Sequence, residues 1–99
     1  MTLTIDPAKA EIRALEEAIN WRGKRVLELG CGDGRLTLRL AALGPPRIEA
    51  LDPDAKLIRA ARQHLPARHA KRVRYHIGST DHVKFPDNKF DIVVFSWVL

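Results

Sequence analysis

Apolar residues along this chain recur in two patterns that take turns, short continuous runs and helical spacing. Ile12, Leu15 and Ile19 fall on one helical face behind Asp6-Pro7, an N-cap and first-turn pair, so the spacing predicts an amphipathic helix over 7–21 that ends near Gly23. The run Val26 to Leu29 has the length and composition of a short buried strand. Leu36, Leu40 and Leu43 define the inward face of a helix over 35–43, stopped by Gly44-Pro45-Pro46. A second strand is expected at 47–51. A helix starting at Asp52-Pro53 then carries Leu57, Ile58, Ala61 and Leu65 on one face and ends at Pro66. Segments 72–77 and 90–96 read as the third and fourth strands, and the residues between them, 78–89, leave room for one helical turn in a parallel crossover of about a dozen residues. Strand and helix alternate throughout, which predicts an α/β class with a parallel sheet and right-handed crossovers.

The junction between the first of these strands and its helix, Glu28-Leu29-Gly30-Cys31-Gly32-Asp33-Gly34-Arg35, carries the chemistry. A strand that reverses sharply into a helix needs positive φ, and a ligand lying against that backbone needs the absence of Cβ. A dinucleotide fingerprint places its third glycine five positions after the first, where pyrophosphate meets the helix N-terminus. Here that position holds Arg35, and the third glycine, Gly34, comes one residue early. With no pyrophosphate to seat, Glu28 becomes intelligible as a partner for something cationic.

The stretch Glu28-x-Gly30-x-Gly32-x-Gly34 resembles the first motif of the class I S-adenosylmethionine-dependent methyltransferases, acidic-x-Gly-x-Gly-x-Gly. Two more stretches agree in order: Ile48 to Asp54 is similar to the family's second strand with its terminal acid, and Gly78 to Val94 to its Gly-Asp-Ala-Glu-x-Leu-Pro-Phe-Pro-Asp-x-x-Phe-Asp-x-Val segment. The resemblance covers 26–99. It implies a Rossmann-like parallel sheet with strand order 3-2-1-4 and flanking helices, with the C-terminal half of the methyltransferase fold missing. It implies S-adenosylmethionine as cofactor, with Glu28 orienting the methionine amino group, Gly30, Cys31, Gly32 and Gly34 forming the turn, Asp52 and Pro53 at the ribose, and Ser79, Thr80 and Asp81 flanking the adenine. The sequence departs from the family where Ser79 replaces an aspartate that accepts from the adenine amino group, and where Lys84 replaces a proline. No catalytic base can be named.

On the residues alone, several readings stay open. A carboxylate offers two acceptor oxygens suited to a pair of ribose hydroxyls, yet Asp52 before Pro53 is also a helix N-cap. Ser79, Thr80 and Asp81 are also turn formers that bond their own backbone. Cys31, the single cysteine, fits the turn as a small residue rather than as a reactive thiol, and Asp91, at the start of a strand, reads as structural.

Composition adds limits. Ninety-nine residues with 45% hydrophobic content suit one domain spanning 1–99, here a partial one. The N-terminus lacks a signal-peptide build and no run approaches a membrane span, so a cytoplasmic location is expected. The four histidines lack metal-site spacing, and no metal is expected. The net charge is +5, and from Ala55 to Thr80 there are seven lysines and arginines and no acids. Nucleic acid is one reading of that stretch. With the third strand at the sheet edge, the favoured reading is a solvated guard against edge pairing. The end of the fourth strand, Phe95 to Val98, lacks the Asn/Asp-Pro-Pro-aromatic signature of amino-methylating nucleic-acid enzymes, which points to a small-molecule methyl acceptor. The rival functions are a noncatalytic cofactor-binding or interaction fragment and a nicotinamide-dependent oxidoreductase. Finally, 90–99 is expected to be an apolar sheet edge that drives dimerisation, docking on a partner chain, or aggregation.

Overall fold

The computed structural model of the chain describes residues 1–6, 12–78 and 89–96. Among these residues, five strands and three helices follow one another as β1 (Thr2–Ile5), α1 (Ile12–Ala18), β2 (Arg25–Leu29), α2 (Arg35–Ala42), β3 (Arg47–Asp52), α3 (Ala55–Gln63), β4 (Val73–Ile77) and β5 (Ile92–Ser96), with a 3₁₀ turn at Ala67–His69. They form one sheet of order β1-β5-β2-β3-β4, and every pairing is parallel. The four expected strands therefore lie in the expected 3-2-1-4 order. Parallel register puts partners on the same side of the sheet, so Val26, Ile48, Val73 and Ile92 form one layer of the core, closed by Leu36, Leu40, Ile58 and Ala61 from the helices. These side chains are all within 2% of full burial.

One strand is new, and it corrects the expectation of an exposed edge. Residues 2–5 pair with β5 in the register Thr2↔Val93 to Ile5↔Ser96, and the N-terminal ammonium donates to the Asp91 carbonyl at 3.0 Å. The fourth expected strand is thus internal, between β1 and β2. Its backbone donors are taken by a neighbour of alternating pattern, with Leu3 and Ile5 turned to the core. Four residues beginning at the chain terminus were too short to stand out by periodicity.

The helices are shorter than their apolar spacing suggests. In α1 the helical geometry ends at Ala18, because the Trp21 indole N–H donates to the Leu15 carbonyl at 3.0 Å and its ring is buried, drawing the chain into the core. Residues 7–11 lie outside the described part. For α3 the expected cap at Asp52-Pro53 is corrected: Asp54 is the N-cap, accepting from Lys56 N–H at 2.9 Å and Leu57 N–H at 3.3 Å. Asp52 is thereby released for another task. Asp91 is structural as expected, its carboxylate taking the Arg25 N–H at 2.8 Å and the guanidinium at 3.3 Å, which together hold its carboxyl below the usual range.

Candidate functional site

The carboxyl ends of β2 and β3 lie side by side, and the loop 30–34 folds over them. The Gly30 and Cys31 N–H groups both donate to the Leu51 carbonyl, at 2.8 and 2.9 Å, pinning the loop to β3. Beyond that anchor, the loop is held by Asp52. Its Oδ2 accepts the Gly32 N–H at 2.9 Å and its Oδ1 the Asp54 N–H at 2.9 Å. Each oxygen keeps a second lone pair. Asp52 is 6% exposed, so a ligand that reaches its carboxylate meets a largely desolvated acceptor.

Two glycines explain the spacing. Gly32 has φ +58°, and a Cβ there would meet nothing within 4 Å, so the loop presents bare backbone to open space beside the Asp52 carboxylate. Gly34 has φ +87° and the opposite surroundings: a Cβ would stand 2.5 Å from the Tyr75 hydroxyl. The first glycine leaves room outside the loop and the second lets the loop settle on the core.

Glu28 lies beneath this loop with no exposed surface. Both of its oxygens accept hydroxyls, one from Thr37 in the first turns of α2 and one from Ser96 at the end of β5, each at 2.5 Å. Burial pushes its carboxyl above the usual range, against the opposing pull of the two hydrogen bonds, and the nearby Asp52 charge adds to the rise. The carboxyl thus ties strand, helix and β5 together under the loop. Thr37 and Ser96 were not singled out from sequence. Ser96 does carry a signal: it follows Ile92 and Val94 in the inward alternation of β5, where a polar residue needs a partner.

Tyr75 completes the cluster. Its ring is buried, its hydroxyl has no hydrogen-bond partner among the described residues, and burial raises its pKa to about 12. Cys31 is buried, and its thiol is pushed well up by burial and by the Glu28 and Asp52 charges, so it stays protonated, in keeping with a small turn residue. Pro53 is exposed beside Asp52. Gly30, Cys31, Gly32, Gly34, Asp52 and Pro53 are therefore brought together, with Glu28 behind them, whereas Ser79, Thr80 and Asp81 lie outside the described residues. The Gly78 N–H donates to the Asp52 carbonyl at 3.0 Å, which brings the chain leading into them to the same end of the sheet. Among the described residues, no group of three or more His, Cys, Asp or Glu is placed to hold a metal, and no helix is long and apolar enough to cross a membrane.

The family model of a methyltransferase domain matches residues 26–99. The chain is 32% identical over 80 residues to the demethylmenaquinone methyltransferase of Geobacillus stearothermophilus, an alignment covering 79% of the chain and 34% of that protein. It is 50% identical over 46 residues to the human 7SK snRNA methylphosphate capping enzyme, covering 46% of the chain and 7% of that enzyme. Among solved structures, an S-adenosylmethionine-dependent methyltransferase from Mesorhizobium loti superposes with a TM-score of 0.74 at 23% identity, over 93% of this chain and 42% of that one. The chain spans less than half the length of each.

Proposed function

The chain belongs to the methyltransferase domain family, and from that premise we propose that it is the S-adenosylmethionine-binding portion of a methyltransferase. The observation that carries this reading is the pairing of Asp52 with Gly32: a buried carboxylate with lone pairs to spare, beside a glycine backbone that faces open space. A ribose supplies two hydroxyl donors to such a carboxylate, and a ligand edge can lie against the bare loop. The residues present fit the cofactor.

When bound, S-adenosylmethionine supplies an electrophilic methyl group on a sulfonium. Asp52 holds the ribose hydroxyls, the loop 30–34 lets the ligand approach the backbone, and Cys31 and Pro53 border it. Ser79, Thr80 and Asp81 flank the adenine in the same reading. Glu28 is a positioning residue, because it has no exposed surface at which the methionine amino group could meet it, and it acts through the Thr37 and Ser96 hydroxyls it holds beneath the loop. The acceptor is a small molecule, the location is cytosolic, and residues 1–99 form a single, partial domain. Arg35, exposed five positions after Gly30 where a dinucleotide fingerprint has its third glycine, disfavours a nicotinamide cofactor.

Amide chemical shifts test the placement. Adding S-adenosylhomocysteine to the isotopically labelled chain is expected to move the Gly30, Gly32, Gly34 and Asp52 amides. Shifts confined to other parts of the molecule, or none at saturating ligand, would overturn it.

A further inference from the structure

We infer that the outer edge formed by α3, the 3₁₀ turn and β4 is a docking track for a nucleic-acid strand, held through its phosphates. Lys56, Arg59, Arg68, Lys71 and Arg74 are all exposed along it. Among the described residues, none of the five enters an ion pair. The stretch's other two arginines are engaged with backbone carbonyls, the exposed Arg62 with that of Tyr75 at 2.8 Å and the half-buried Arg72 with those of Ala41 and Pro45 at 3.0 Å.

A guard for the sheet edge explains too little of this pattern. β4 is the edge strand, but only Arg74 of the five lies on it; Lys56 and Arg59 are on the helix, and Arg68 and Lys71 precede the strand. The cations are instead spread over α3, the 3₁₀ turn, the residues just after it and β4. β4 alone spans about 17 Å, the axial rise of about five phosphates of one strand. The track has no exposed aromatic, and the one large apolar residue exposed on it is Ile77, at the far end of β4. Stable membrane attachment adds an apolar or lipid anchor to a basic patch, and a protein interface has an apolar centre, whereas phosphate binding needs neither.

The test uses the full chain and a fluorescent poly-uridine oligonucleotide, with anisotropy read between about 50 and 200 mM salt. If all five cations meet phosphates, log K falls against log salt with a slope of about −3.5. Replacing Lys56, Arg59, Arg68 and Lys71 together by alanine is expected to cut affinity at least about tenfold and flatten the slope toward about −0.7, leaving S-adenosylhomocysteine binding as in the parent. If that variant unfolds, Lys56→Glu with Arg59→Glu gives the same loss. Absence of salt-dependent binding, parental affinity in a folded variant, or equal competition by polyglutamate or phosphatidylserine vesicles would overturn the inference.

Discussion

Asp52 Oδ2 accepts the Gly32 N–H at 2.9 Å, joining two residues 20 positions apart into one unit. The acid at the end of β3 and the glycine loop after β2 therefore keep a fixed relation. Replacing Asp52 by alanine removes one contact to the loop, one to the Asp54 N–H and the proposed ribose acceptor together. The expected cost in S-adenosylhomocysteine affinity is about 1.5–3 kcal/mol, measured by titration of the folded variant. Unchanged affinity would remove Asp52 from the site.

Gly34→Ala places a methyl group 2.5 Å from the Tyr75 hydroxyl and forces φ +87° on an L-residue. Thermal and urea unfolding are expected to show a loss of about 1–3 kcal/mol. Tyr75→Phe alone, which deletes a buried hydroxyl without a partner among the described residues, is expected to be neutral or stabilising. In the double variant, part of the Gly34→Ala loss should be recovered, and strict additivity would deny the clash.

Much of this site was legible in the sequence because its parts are local. The glycines mark backbone with positive φ, and an acid at a strand end within a parallel fold must lie at the ligand end of the sheet. The strand order followed from the resemblance, and the alternation of runs and helices fixed the parallel class. What escaped depends on contacts distant in the chain. Glu28 was expected to face the cofactor, but its burial against Ser96, 68 positions away, is visible only once β5 lies beside β2. The covering of β5 by residues 2–5 is the same kind of event. Asp54 was overlooked as the cap because Asp52-Pro53 offered an equally good local signal.

Glu28 gives the chain a pH dependence whose sign follows from its environment. Its carboxyl lies above 4.5 in the folded state, so between that value and its folded pKa the native chain binds more protons than the unfolded one, and stability falls as pH rises. Below pH 4.5 the contribution is fully present. Glu28→Gln is expected to abolish this part of the decline while keeping hydrogen bonds to Thr37 and Ser96. Glu28→Ala, which orphans two buried hydroxyls, should cost about 2–4 kcal/mol. Urea midpoints at several pH values distinguish these outcomes, and a parental pH profile in the glutamine variant would contradict the assignment.

Removing residues 1–5 uncovers β5 along the register Thr2↔Val93 to Ile5↔Ser96. A strand of high β-propensity then presents unpaired N–H and C=O groups and templates association. Sedimentation velocity is expected to show dimers or larger species for the shortened chain where the parent sediments as a smaller one. Identical sedimentation of the two would mean that β1 does not protect this edge.

The central claim, that the loop and Asp52 form a site for S-adenosylmethionine and not for a dinucleotide, is tested most directly by calorimetric titration of the chain with S-adenosylhomocysteine and, separately, with NAD. One saturable binding site for S-adenosylhomocysteine and no heat of binding with NAD is the predicted result; saturable binding of NAD, or of neither ligand, would contradict it.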